Sequence, residues 1–96
     1  MKTSLTVNDV VIPLNEFCQR YIGNILRSIV ESLDSPGKKV NVYIDRNTLR
    51  FYSDDREVEI RKDFTRLLVE STLKGVLSPL KGIFWLEKVN ISTWVE

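Results

Sequence analysis

Apolar and polar residues alternate along the first twelve residues of the chain. Leu5 and Val7 alternate with serine and threonine, and Val10 and Ile12 resume the alternation after an Asn-Asp pair at 8–9. Asparagine and aspartate tolerate the positive φ of a two-residue hairpin turn. Such a turn pairs Leu5 with Ile12 and Val7 with Val10, on one face of the hairpin. The pattern therefore predicts a β-hairpin at the start of the chain.

Two later segments show the period of amphipathic helices. The first begins after Asn15, a favoured N-cap residue, and the Asp-Ser-Pro-Gly sequence at 34–37 ends it. The second begins with Asp63 as its expected cap, and the pattern leaves its end open between Lys74 and Leu80. The apolar positions of the first helix cover an arc of roughly 220° of its surface, which is wider than one packed face needs. Each helix is thus expected to contact more than one surface.

Three strands are predicted between the helices and one after the second helix. Alternation over 40–44, a turn at 46–47 and a second turn at 54–55 place the apolar residues of three strands on one face. The expected pairs are Ile44 with Leu49, Val42 with Phe51, Phe51 with Val58, and Leu49 with Ile60. Residues 88–95 alternate as a last strand. The predicted fold is α+β, an antiparallel sheet with two amphipathic helices on one face.

The two halves of the chain resemble each other. An offset of 47 aligns Phe17 with Phe64 and Leu26 with Leu73, and the sequence Lys-Val-Asn-Val at 39–42 matches Lys-Val-Asn-Ile at 88–91. Any two amphipathic helices can be aligned in phase, but the shared order of turn, helix and strand is harder to obtain by chance. We therefore predict a single domain over 1–96, an internally duplicated ββαβ unit with repeats 3–45 and 48–95. Phe17 and Phe64 are then expected at equivalent buried positions.

Composition narrows the class of protein. The chain has 96 residues, 43% of them apolar and 28% charged, with a net charge of +1. These values exclude intrinsic disorder and give no bulk charge for nucleic acid or acidic lipid. Cys18 is the single cysteine, which favours a reducing, cytoplasmic setting, and its place on the helix predicts a buried, unreactive thiol. No apolar run reaches the roughly 20 residues of a membrane-spanning helix.

The residue types needed for common catalytic and metal sites are missing. There is no histidine, so His-assisted nucleophiles and His-containing metal sites are excluded, and one cysteine cannot form a thiolate zinc site. The glycines follow no phosphate-binding spacing, and the acidic residues at 54–59 lack the spacing of a calcium loop. We therefore expect a protein without enzymatic activity, cofactor or metal.

Aromatic residues suggest an interaction surface. The predicted register places Tyr43, Tyr52 and Trp94 on the sheet face opposite the helices, with Arg50 between the tyrosines. Aromatics with arginine on an open sheet are typical of single-strand nucleic-acid binders. The same register places Glu59 opposite Arg50, however, where its carboxylate would neutralise the cation. Nucleic-acid binding is therefore kept as the alternative, and a protein contact is favoured.

The sequence predicts a protein-interaction module that self-associates as a dimer. The apolar run at 83–86, which includes Trp85, and the broad apolar arcs of the helices exceed what one sheet face covers, unless the helices cover each other. Closed two-fold pairing is the commonest way to cover such surfaces. The candidate interaction surface comprises Tyr43, Arg50, Tyr52, Trp85 and Trp94.

Overall fold

The structure, a computed structural model, describes residues 2–45, 48–80 and 88–95. The described chain contains six strands and two helices. In chain order they are β1 (Lys2–Val7), β2 (Val10–Ile12), α1 (Glu16–Ser32), β3 (Lys39–Ile44), β4 (Leu49–Ser53), β5 (Arg56–Val58), α2 (Asp63–Leu77) and β6 (Val89–Trp94). The predicted α+β class is confirmed.

All six strands form one antiparallel sheet in the order β2-β1-β6-β3-β4-β5. The last strand is inserted between β1 and β3, so the centre of the sheet joins the two halves of the chain. Val42 lies opposite Ile91 at the middle of the β3–β6 pair. A hairpin lies at each outer side of the sheet, β1–β2 on one side and β4–β5 on the other.

The first hairpin has the predicted register. Leu5 pairs with Ile12 and Val7 with Val10. Asn8 and Asp9 have φ values of 53° and 66°, the positive values that a tight two-residue turn needs. The prediction from the Asn-Asp pair and the alternation is confirmed.

The β3–β4–β5 register follows the prediction except at its end. The pairs of Val42 with Phe51 and of Phe51 with Val58 are observed, as is the pair at Ile44 and Leu49. The predicted pair of Leu49 with Ile60 is wrong, because β5 ends at Val58. Ile60 instead packs against the core from outside the ladder. The predicted turn at 46–47 lies outside the described residues.

The helix ends agree only in part with the sequence. The side chain of Asn15 accepts a hydrogen bond from the Cys18 backbone N at 2.8 Å, which confirms the predicted cap of α1. Asp63 is not the cap of α2: Lys62 occupies that position without a side-chain cap bond, and Asp63 is the first helical residue. Helix α2 ends at Leu77, between the two predicted ends.

One hydrophobic core lies between the helices and one face of the sheet. Alternate residues of the strands supply the sheet side of the core, and each helix supplies residues spaced by three or four. The helix side consists of Ile22, Leu26, Val30, Val69, Leu73 and Leu77. Both helices therefore pack on the same face, and the other face of the sheet has no helix in the described chain.

Two burial predictions are wrong. Phe17 and Phe64 are 71% and 74% exposed, whereas Leu26 and Leu73 are buried as expected. Phe17 lies nine residues before Leu26, which at about 100° per residue places it on the opposite side of α1. Cys18 is half-buried rather than buried, because it lies at the flank of the core-facing side.

Within the described residues, neither helix has the length and apolar character required to cross a bilayer.

Candidate interaction surfaces

The helix-free face of the sheet carries a cleft over β3, β4 and β6. We call it the open-face cleft and define it by Asn41, Tyr43, Arg50, Tyr52, Lys88 and Asn90. Its volume is about 600 Å³. Side chains alternate between the two faces of a strand, so these residues point away from the core that the adjacent positions fill.

Two tyrosines form the aromatic part of the cleft. The rings of Tyr43 and Tyr52 meet edge to face with centroids 5.7 Å apart. Tyr43 lies directly opposite Arg50 across the β3–β4 pair. The predicted proximity of the two tyrosines and the arginine is therefore observed, and the β3–β4 register is its cause.

The expected neutralisation of Arg50 by Glu59 is wrong. Glu59 lies beyond the end of β5 and forms an ion pair with Arg61 at 3.1 Å. Glu57 lies opposite Tyr52. Within the described residues, no carboxylate forms an ion pair with Arg50. The predicted neutralisation by Glu59 therefore does not count against an anionic ligand, although Asp45 and Asp55 also border the cleft.

Two asparagines line the cleft and differ in their hydrogen bonds. The Oδ1 atom of Asn41 accepts a hydrogen bond from the Ser92 hydroxyl. The Oδ1 atom of Asn90 is shielded from solvent and has no hydrogen-bond partner in the described chain. Buried acceptors are nearly always paired, so Asn90 stands out as an unfilled acceptor. The sequence places Asn90 on this face but gives no sign that its acceptor is unfilled.

The two tryptophans do not belong to the cleft as described. Trp94 is half-buried on the same face, opposite Lys2 on β1 and Lys39 on β3, and it does not line the cleft. Trp85 lies outside the described residues, as does the apolar run at 83–86. Of the five predicted surface residues, the structure brings together Tyr43, Arg50 and Tyr52.

The helices carry a second candidate surface on the sides that face away from the sheet. On α1, Phe17 and Tyr21 stack with ring centroids 5.6 Å apart and are 71% and 52% exposed. On α2, Phe64, Leu67 and Leu68 are 74%, 61% and 56% exposed. We call these two groups the outer helix patches. The sequence predicts the broad apolar arcs of both helices, but the prediction that Phe17 and Phe64 are buried is wrong.

No group of three or more cysteine and acidic side chains is placed to hold a metal ion in the ranges 2–45, 48–80 and 88–95. Comparison with protein-family models, curated proteins and solved structures gives no match to the chain.

Proposed function

We propose that this protein is a non-enzymatic interaction module that forms a dimer through its outer helix patches. The observation that carries the proposal is the exposure of five large apolar side chains on the outer sides of two helices. Scattered exposed apolar residues are common, but here they are spaced by three or four on each helix and two of them stack. Clusters of this kind mark interaction surfaces on soluble proteins.

The exposed area suits a second copy of the same chain. A fully exposed aromatic side chain presents about 200 Å². With the observed exposed fractions, the five side chains together leave roughly 600 Å² of apolar surface uncovered. A stable interface buries about 800 Å² on each partner, so a contact that includes both patches would draw most of the required area from these five side chains.

Charge also permits self-association. The net charge is +1, so two copies repel each other only weakly. The two patches also occupy corresponding places: Phe17 and Phe64 are each the second residue of their helix. In an isologous contact each copy presents the same groups to the other, so each patch can meet its own equivalent on the second copy.

The test is the mass of the full chain, measured by light scattering after size exclusion. Protein concentrations of about 10–100 µM are used, because a dimer with a Kd in the micromolar range is populated there. We expect the mass of two chains. The double variant Phe17→Lys and Phe64→Lys places a charge in each patch and should return the mass of one chain. Both residues are exposed, so the variant should fold normally, which circular dichroism checks.

The matched control adds a lysine on the other side of the molecule. Ser4 is exposed on the helix-free face of β1, and Ser4→Lys should leave the dimer mass unchanged. A wild-type chain that remains monomeric across the whole concentration range refutes the proposal. So does a Ser4→Lys variant that dissociates to the same extent as the double patch variant.

We further propose that the chain is an internal duplication of a ββαβ unit. The sheet order supports it, because β2-β1-β6 and β3-β4-β5 exchange under a two-fold rotation about the centre of the sheet. The registers support it as well. The pair of Leu5 with Ile91 on one side of the sheet corresponds to the pair of Phe51 with Val42 on the other side.

Hydrogen bonds at the hairpin turns add support to the duplication. The Asn8 backbone N donates to the Lys88 carbonyl at 2.8 Å, and the Lys88 N donates back to the Asn8 side chain at 3.2 Å. On the other side of the sheet, the Asp54 backbone N donates to the Lys39 carbonyl at 2.8 Å, and the Lys39 N donates to the Asp54 side chain at 3.0 Å. The shared arrangement at the two turns is the kind of likeness that a duplication would leave.

An experimentally determined structure tests the duplication. Superposition of residues 3–44 on residues 49–93 should align both hairpins, both helices and both following strands in one rotation close to 180°. Helices that run in unrelated directions after superposition of the strands would contradict it.

We also retain the proposal that the protein works in the cytoplasm. Its support is the single cysteine, since proteins of oxidising compartments commonly use paired cysteines. Fractionation of the source cells with an antibody against the protein is the test, and recovery only in an oxidising compartment would contradict it.

A further inference from the structure

The open-face cleft lies on the opposite side of the sheet from the outer helix patches and is not used by the proposed dimer contact. Its volume of about 600 Å³ is within the range of small-molecule sites, roughly 300–1,000 Å³. Its lining consists of two tyrosines, one isoleucine and seven polar or charged residues, so it is more polar than most small-molecule sites and suits a polar, charged ligand. The question is therefore which ligand these groups would bind.

The rings favour a flat ligand. Tyr43 and Tyr52 meet edge to face, so their ring faces are not stacked on each other. Tyr43 is 45% exposed. A nucleobase can stack on an exposed tyrosine ring, and stacking on aromatic side chains is worth roughly 5- to 150-fold in affinity per base.

Asn90 favours a ligand with an N–H donor. Its shielded Oδ1 atom has no partner among the described residues, whereas the corresponding atom of Asn41 is occupied by Ser92. Every nucleobase bears an N–H group on its edge. Because this atom is shielded, a base in the cleft would bond to it only once the Asn90 amide rotates toward the ligand, and that rotation would fill the open acceptor.

Arg50 favours a ligand with an anionic group. The charges around the cleft limit the ligand to one such group. Its guanidinium has no ion-pair partner in the described chain, while Lys88 already contacts Asp9 at 3.5 Å. Asp45 and Asp55 also border the cleft, so there is no continuous basic track. A guanidinium binds phosphate oxygens with two parallel hydrogen bonds, which suits a single phosphate.

We infer that the open-face cleft binds one nucleotide, with the base on the tyrosines and at Asn90 Oδ1 and the phosphate at Arg50. The nucleotide is either a free mononucleotide or an unpaired residue of a single-stranded nucleic acid. Both sources present the same base and phosphate to the same three groups. A double helix does not, because its bases are paired and stacked.

The experiment measures binding of the full-length protein to three probes. Adenosine monophosphate is titrated by calorimetry. Fluorescein-labelled ten-nucleotide oligoadenylate, and the same strand in a duplex, are titrated by fluorescence anisotropy. We expect saturable binding of the mononucleotide or the single strand, and weaker binding of the duplex. A ten-nucleotide strand offers about ten equivalent bases, so a single strand that binds more than tenfold tighter than the mononucleotide identifies nucleic acid as the source, and a difference of tenfold or less identifies the free nucleotide.

Salt dependence counts the phosphates. For the single strand, one neutralised phosphate gives a slope of about −0.7 in a plot of log K against log salt concentration. Arg50→Gln should weaken binding at least tenfold and remove most of this slope. Lys39→Gln is the matched control, since it removes a cation on the same face but outside the cleft, and it should change the affinity less than twofold.

The tyrosine variants separate stacking from folding. Tyr52→Leu should weaken binding at least fivefold, whereas Tyr52→Phe keeps the ring and should bind within threefold of the wild type. Absence of saturable binding to all three probes overturns the inference. Equal losses for Arg50→Gln and Lys39→Gln overturn it as well, because they indicate diffuse electrostatic attraction. Loss of the dimer in the preceding test would leave this result unaffected, since the two surfaces share no residue.

Discussion

The clearest test of the packing concerns Gly37, in the connection between α1 and β3. A Cβ atom at this position would lie 2.2 Å from the Ser53 hydroxyl oxygen and 3.0 Å from the Asp54 carboxyl carbon. The Asp54 carboxylate accepts hydrogen bonds from the backbone N atoms of Lys38 and Lys39, both at 3.0 Å. It cannot retreat without weakening them, so Gly37→Ala must displace well-packed groups.

The expected cost follows from the kind of contact. Overpacking of a buried site costs about 1–3 kcal/mol. Ser53 is buried in β4 and its hydroxyl must move away from the new methyl group, so we expect Gly37→Ala to lower the free energy of unfolding by about 2 kcal/mol. This is a large part of the roughly 5–15 kcal/mol that holds a small domain together.

Gly75 provides a control with the same chemical change. A Cβ atom at Gly75 meets no atom within 4 Å, and the residue lies inside α2. Alanine is favoured over glycine in a helix by about 1 kcal/mol, so Gly75→Ala should raise the free energy of unfolding by that amount. The same added methyl group should therefore have opposite effects at the two positions.

A double-mutant cycle identifies the clash. The Ser53 hydroxyl is buried without a hydrogen-bond partner, so Ser53→Ala alone should be neutral or slightly stabilising. In the Gly37→Ala background, the same change removes the atom nearest to the new methyl group. We expect a coupling free energy of at least about 1 kcal/mol between the two sites.

Urea unfolding followed by tryptophan fluorescence and far-UV circular dichroism measures these differences. Coincident transitions from both probes justify the two-state analysis. A Gly37→Ala variant as stable as the wild type would refute the packing of this connection against β4. A coupling energy near zero would show that the destabilisation does not come from Ser53.

Three further changes test the core and the turns by the same urea assay. Leu26→Ala and Leu73→Ala should each cost about 2–5 kcal/mol, whereas Leu67→Ala on the outer helix patch should cost less than about 0.5 kcal/mol in the monomer. Asp54→Ala should cost about 1–2 kcal/mol because two backbone N–H groups lose their acceptor, and Asp54→Asn should recover most of it. Thr3→Val should cost about 1–3 kcal/mol, since its buried hydroxyl bonds both α1 and β6.

The hairpins could be predicted because their information is local. A two-residue turn fixes which residues face each other, and the alternation of apolar residues fixes the face. Leu5 with Ile12 and Phe51 with Val58 follow from these two facts alone. The insertion of β6 between β1 and β3 could not be predicted in this way, because that pairing joins distant parts of the chain and no turn specifies it.

The errors at the helices and at the cleft have physical causes too. The helical period shows that Phe17 and Leu26 belong to one broad apolar arc, but it does not show which part of the arc faces the sheet. Because the β-branched and leucine side chains of the helix are buried against the sheet, its aromatic side chains face the solvent. Similarly, the alternation places Arg50 on the open face, but the length of β5 decides that Glu59 pairs with Arg61 instead.

The position of the two surfaces leads to a final prediction about their independence. A layer of two helices on one sheet has two outer sides, and here the apolar patches occupy one side and the polar, aromatic cleft the other. Sites without shared contacts are usually additive. The Phe17→Lys and Phe64→Lys variant should therefore bind a mononucleotide as the wild type does, and Arg50→Gln should still dimerise. Calorimetry and light scattering on both variants measure this, and a change of more than threefold in the mononucleotide affinity of the patch variant would show that the helix layer and the sheet face are coupled.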